Sequence, residues 1–182
     1  DNGLGMTSEE VKKYINQIAF SGATEFVEKF KDQDLDRSQI IGNFGLGFYS
    51  AYMVADLVEI QTVSYKEEGA ATKWSCDGST EYEISEGDKS SRGTEIVLHI
   101  SEEGKEFLNN ARIKVVLEKY CKFLPIEIEF EETVINNTAP LWTKSPADLK
   151  DEDYIAFYKE LYPFGEDPLF WIHLNVDYPF NL

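Results

Sequence analysis

The hydrophobic period changes several times along the chain, and each change predicts an element. Thr7 followed by Glu10 has the form of a capping box, in which hydroxyl and carboxylate each satisfy an orphan amide at a helix start. Val11, Tyr14, Ile15, Ile18 and Ala19 then fall at helical spacing and predict one apolar stripe. Ser21-Gly22 ends that helix, and a shorter helical stretch around Phe26, Val27 and Phe30 runs into polar residues from Lys31 to Ser38. Residues 40–48 are glycine-rich and apolar together, and are expected to open a helix through Ser50 to Val54. From Leu57 the period is two, with Val58, Ile60 and Thr62 alternating with Glu59, Gln61 and Val63. Further strands are predicted at 72–76, 81–85 and 94–100, with Asp77-Gly78 and Glu86-Gly87-Asp88 as turns, which implies an antiparallel meander.

A long helix follows, with Ile113, Val116, Leu117, Tyr120 and Leu124 on one face, and Pro125 ends it. Residues 126–130 alternate as a strand. The acids and asparagines from Glu131 to Ala139 read as a boundary before Pro140. Beyond it, Pro146 and Asp151 offer helix starts, and Tyr154, Phe157, Tyr158 and Leu161 form a stripe that Pro163-Phe164-Gly165 stops. Residues 169–178 then alternate as a strand. The fold class expected is α/β, a mostly antiparallel sheet covered on one face by helices. The expected division is 1–131 for the first domain, 132–140 for a short linker and 141–182 for the start of a second.

Composition narrows the function. Hydrophobic residues make up 42% of the 182 and aromatics 14%, which predicts a folded core rather than a disordered tail. The net charge of -17, from 34 acids against 17 bases, argues against nucleic acid as a partner, because phosphate backbones call for clustered Lys and Arg. No apolar run reaches the roughly 20 residues that span a bilayer. Cys76 and Cys121 show neither metal spacing nor a disulfide framework, which favours a reducing compartment; His99 and His173 sit in strand patterns and are expected to be structural. Both ends of the chain are expected to be cut, since it opens at Asp1 inside a motif and closes at Leu182 without a polar tail.

Three constellations could carry chemistry. In Asp1-Asn2-Gly3-Leu4-Gly5-Met6, an ionised carboxylate accepts hydrogen bonds only, so it can hold the exocyclic amine of adenine and disfavour a guanine carbonyl. The glycines allow close backbone approach, and Met6 could pack on a flat ring. The same letters also suit an ordinary turn before a capped helix. In Gly42-Asn43-Phe44-Gly45-Leu46-Gly47-Phe48, exposed amides before a helix suit phosphate oxygens, although neither a P-loop nor a dinucleotide fingerprint is matched. A flexible hinge with packed aromatics is the alternative. In Arg92-Gly93-Thr94, the threonine hydroxyl could assist a carboxylate directly or through water, or merely favour a strand start.

In this order and at these separations, the three blocks resemble those of the GHKL ATPases, the superfamily of gyrase, heat-shock protein 90 chaperones, histidine kinases and mismatch-repair proteins. The run from Ile41 to Asp56 resembles the lid-and-helix signature of the heat-shock protein 90 family itself. Ile18-Ala19 with Ser21-Gly22 resembles that family's lid start. Pro140-Leu141-Trp142-Thr143 and Glu166-Asp167-Pro168-Leu169 resemble the opening of its middle domain. The short spacer between Phe130 and Pro140 resembles the bacterial branch. Tyr14, Asn16-Gln17, Phe20 and Ala23 depart from the common pattern, which has asparagine, Gly-Thr, lysine and threonine there.

The resemblance implies an α/β two-layer sandwich of the GHKL, or Bergerat, type that binds ATP or ADP with Mg2+. Asp1 would bind the adenine amine, assisted by Thr94, with Gly5 and Met6 lining the base. Gly45, Leu46, Gly47 and Phe48 would present amides to the phosphates, and residues from about Ala19 to Gly47 would form a moving lid. The glutamate that activates water and the asparagine that holds magnesium would precede this chain, so the chain alone is expected to hydrolyse no ATP. Client proteins, a homodimeric full-length parent and a cytoplasmic location are implied, with no membrane association. Two alternatives stand beside this reading: a non-catalytic interaction module of the same fold, and another GHKL ATPase.

Overall fold

The computed structural model describes residues 1–17, 42, 45–66 and 70–174. Most of the expected lid, the helical stretch around Phe26 and the end of the last expected strand lie outside them. Backbone contacts divide the chain into two units, Asp1–Ile113 and Lys114–Leu182.

In the first unit, helix α1 (Ser8–Tyr14) starts at the expected capping box. The Thr7 hydroxyl accepts from the Glu10 amide at 3.2 Å, and the Glu10 carboxylate accepts from the Thr7 amide at 2.9 Å. Strands β1 (Ala55–Val63), β2 (Ala71–Cys76), β3 (Glu83–Glu86) and β4 (Gly93–Ile100) form an antiparallel sheet in the order β3-β2-β1-β4. The register sets Trp74 opposite both Ile60 and Ile84, so these side chains share one face. Val11 of α1 packs on that face with Val58, Ile60 and Trp74 to form the core, and Met6, Ile15, Phe48, Ala51 and Tyr52 close around it. Ile96 and Leu98 of β4 stand opposite Ile60 and Val58 yet are 50% and 36% exposed.

The helix expected through Ser50 to Val54 is present over Gly47–Met53, wound as a 3-10 helix. Tyr49 and Tyr52 explain the tighter winding. Three residues per turn bring both rings to one side, where Tyr49 Oη donates to the Ile15 carbonyl at 2.6 Å and Tyr52 Oη to the Cys76 carbonyl at 3.4 Å. Phe48 sets its ring edge on Trp74 with centroids 5.7 Å apart.

Helix α2 (Asn110–Cys121) spans the division between the units. Along its expected stripe Ile113, Val116 and Leu117 are half-buried, while Tyr120 is exposed. In the second unit the strand expected at 126–130 shrinks to β5 (Glu129–Phe130). It pairs with β6 (Thr133–Val134) across a two-residue turn in which Glu131 and Glu132 hold φ of 49° and 63°. Asn136 fastens the chain leading into this hairpin: its Oδ1 accepts from the Ile128 amide at 2.7 Å, and its Nδ2 donates to the Leu124 and Ile126 carbonyls at 2.9 and 2.8 Å. Helix α3 (Asp151–Leu161) turns Phe157 onto Phe123 and Trp142, and Tyr154 stacks on Trp171 at 5.2 Å. Residues 169–174 form no strand, because alternation alone supplies no backbone partner, and Leu169, Phe170 and Ile172 remain largely exposed.

Candidate functional site

Thr62 continues the inward period of Val58 and Ile60 on β1 and is fully buried, a polar side chain on an apolar face. Its Oγ1 accepts from the Met6 amide at 2.9 Å and donates to the Gly93 carbonyl at 3.2 Å. The Thr94 hydroxyl lies 3.0 Å away, directly across the β1–β4 register. Asp1 sits on the other side of Thr94. The Asp1 amino nitrogen donates to the Thr94 carbonyl at 2.8 Å, and the Thr94 amide lies 3.3 Å from both the carbonyl oxygen and Oδ1 of Asp1. Oδ1 also accepts from the Gly3 amide at 2.8 Å, and Asp1 is an exposed residue. Arg92 secures the same segment by donating to the Asn2 carbonyl at 3.2 Å.

Two glycines allow these segments to meet. Gly5 holds φ at +64°, and a Cβ there would overlap the Val63 carbonyl; the Leu4 carbonyl accepts from the Tyr65 amide at 2.8 Å nearby. Gly93 holds φ at +119°, and a Cβ there would overlap the Asp1 carbonyl. Any larger residue at either position would force the Asp1–Met6 segment off the sheet.

Lys66 braces the helix that begins at this segment. Its ammonium lies 2.5 Å from Glu10 Oε1. Burial acts to raise the Glu10 carboxyl, but the Lys66 ammonium and the Thr7 amide outweigh it and hold the group below the ordinary carboxylate value. The Glu10 carboxylate in turn raises Lys66.

Of the residues named from sequence, Asp1, Gly5, Met6 and Thr94 are therefore drawn together by hydrogen bonds and close backbone approach. Gly45 and Leu46 lead into the 3-10 helix, which Gly47 and Phe48 begin. Gly45 has φ of +63°, Leu46 and Gly47 are exposed, and Phe48 is half-buried in the core that Met6 also joins. That shared core is the link between the two groups. A separate cavity of about 500 Å³ is lined by Ile15, Asn16, Tyr49, Trp74, Cys76 and Tyr82 among others, and by none of the eight residues named from sequence. Burial raises both Tyr49 and Tyr52 there, so both stay neutral donors. Asn16 Oδ1 accepts from Trp74 Nε1 at 2.9 Å, while its buried Nδ2 has no partner among the described residues.

A family model described as Hsp90 protein matches residues 125–182. Over the whole chain, the chaperone protein HtpG of Porphyromonas gingivalis is 58% identical. This chain belongs to the heat-shock protein 90 family. The HtpG of Bacteroides thetaiotaomicron is 55% identical over the whole chain, and that of Fusobacterium nucleatum 44% identical over 97% of it. The chain spans 28% of the length of the first two relatives and 29% of the third.

Two residues of this heat-shock protein 90 sequence escaped the reading of its motifs. Gly93 was noted only as a neighbour of Thr94, and Thr62 only as a member of a strand pattern. The available signal for Thr62 was its hydroxyl at a position where the period demands an apolar side chain.

Proposed function

We propose that this chain carries the adenine-reading part of an ATP or ADP site in an ATP-dependent molecular chaperone, with the two-layer GHKL sandwich as its first domain. The observation that supports this is the juxtaposition of the carboxylate of an exposed residue, Asp1, with the hydroxyl-bearing strand residue Thr94, in a chain similar throughout to chaperone proteins. Adenine offers an exocyclic amine as donor, and an ionised carboxylate accepts only, so the chemistry of the site suits that base. Gly5 and Met6 would line the ring, and amides from Gly45 to Phe48 would face the phosphates. Bound ATP supplies a transferable phosphoryl group, and the residues of this chain bind and orient it.

Among the described residues no three His, Cys, Asp or Glu side chains gather as a metal-binding group, and Mg2+ would enter the site with the nucleotide. No helix among them is long and apolar enough to cross a membrane. In the whole protein, closure of a lid from about Ala19 to Gly47 would couple nucleotide state to the handling of unfolded client proteins, within a homodimer in the cytoplasm. Residues 132–140 would link this domain to the start of a middle domain at 141–182.

Calorimetric titration of the chain with ADP and magnesium, repeated with Asp1→Asn, tests the reading. Loss of a charge-assisted hydrogen bond contributes about 1.5–3 kcal/mol, so the variant is expected to bind on the order of 10- to 100-fold more weakly. Equal binding by both proteins would remove Asp1 from the site. Absence of binding by the unaltered chain would favour a nucleotide-free interaction module.

A further inference from the structure

Three groups surround the Thr62 hydroxyl, and their chemistry determines how its single proton is used. The Met6 amide can only donate, the Gly93 carbonyl can only accept, and the Thr94 hydroxyl can do either. Only one assignment makes hydrogen bonds of all three contacts: Thr62 donates to Gly93 and accepts from both Met6 and Thr94. In a fully buried position, an assignment that leaves one contact unmade is disfavoured. The Thr94 proton is therefore turned inward, and its oxygen presents lone pairs only. Asp1, whose Oδ1 lies 3.3 Å from the Thr94 amide, adds a second acceptor-only group held at the same strand residue.

From this geometry we infer that Thr62 is a positioning residue for base selection: by holding the Thr94 hydroxyl as an acceptor, it makes the site select an amine-bearing base over one with a carbonyl there. The inference rests on the nucleotide reading of Asp1 and Thr94 and deepens it. Without the Thr62 hydroxyl, Thr94 is free to rotate and donate, and a carbonyl oxygen becomes tolerable at the same place. Thr62 also ties three separate segments together, because Met6 leads into α1, Gly93 begins β4, and Thr62 itself lies on β1.

The test compares ADP with inosine diphosphate, which carries a carbonyl in place of the amine, by calorimetry in the presence of magnesium. The unaltered chain is expected to prefer ADP. Thr62→Val removes the hydroxyl at nearly constant volume and is expected to shrink that preference about tenfold, with Thr62→Ser restoring it. A merely structural role would weaken both ligands equally and leave their ratio unchanged, which would overturn the inference; so would failure of the serine variant to restore the ratio. Thr94→Val supplies a second route if Thr62→Val does not fold, because it deletes the oriented oxygen on a half-buried residue. A preference unaltered in Thr94→Val would overturn the inference as well. If the unaltered chain binds neither ligand, the nucleotide reading falls and this inference with it. If it binds ADP selectively and Thr62→Val does too, this inference alone falls.

Discussion

Replacing Gly93 with alanine tests whether close backbone approach is what positions the Asp1 carboxylate. Gly93 is buried with φ at +119°, a conformation that costs an L residue about 1–3 kcal/mol. A Cβ at that position would overlap the Asp1 carbonyl and stand 2.8 Å from Asn2 Cα, so one of the two segments must move. On one side, Gly93 is paired with Val63 at the end of a ladder that continues to Ala55 and Ile100, and β1 in that ladder supplies the core. On the other, Asp1 and Asn2 are exposed and held by a few hydrogen bonds to Thr94 and Arg92. Exposed bonds of this kind contribute about 0.5–1.5 kcal/mol each at most, so the first residues are expected to yield rather than the sheet. A destabilisation of about 1–3 kcal/mol corresponds to a fall in melting temperature of roughly 2–12 °C for a chain of this size. ADP affinity should fall at least about tenfold, because the carboxylate loses its place beside Thr94. Calorimetric titration and a thermal melt on the same Gly93→Ala sample decide the matter. Unchanged ADP affinity with a lowered melting temperature would mean that β4 had moved instead, and the reasoning would be wrong.

Glu10→Gln keeps an acceptor for the Thr7 amide but removes the ion pair with Lys66. Because the Glu10 carboxyl is held below its ordinary 4.5, its contribution is complete above that pH and disappears as the pH falls through the lowered value. Lys66 is about half exposed, so the variant should lose less than about 1 kcal/mol in urea denaturation at pH 7, and progressively less as the pH is lowered below 4.5; a loss that stays constant as the pH falls would refute the pairing. In the hairpin, Glu131→Asn with Glu132→Gly places at two positive-φ positions the residues that tolerate them, and the urea midpoint followed by tryptophan fluorescence should rise by the equivalent of about 1 kcal/mol. A lowered midpoint would show that the left-handed turn does not form.

The parts of this molecule that could be read from its sequence are those whose cause is local. Thr7 and Glu10 define a helix start because both partners lie within four residues, and that start is found where expected. The alternation from Val58 to Thr62 likewise separates a buried face from a half-exposed one. Where the cause is distant, the local pattern fell short. The aromatic run after Gly47 has ordinary helical letters, but Tyr49 and Tyr52 are pulled to one side by carbonyls of Ile15 and Cys76, which no window around residue 50 contains. Residues 169–174 alternate well, yet the order of a strand depends on a neighbouring backbone, and none pairs with them among the described residues. Glu131-Glu132 carries no turn signal at all, since neither residue favours positive φ.

The site divides along the same line. Asp1, Gly5, Met6 and Thr94 could be named because each lies in a short block whose residue types suggest chemistry. Thr62 could not, because its role depends on three partners separated from it by 56, 31 and 32 positions. A buried hydroxyl on an apolar period must find hydrogen-bond partners, and the cheapest partners here are the backbone groups of the two segments that carry the candidate ligand contacts. The requirement that keeps Thr62 compatible with the core is thus the same one that joins α1, β1 and β4 at the site, so altering it should lower stability as well as selectivity.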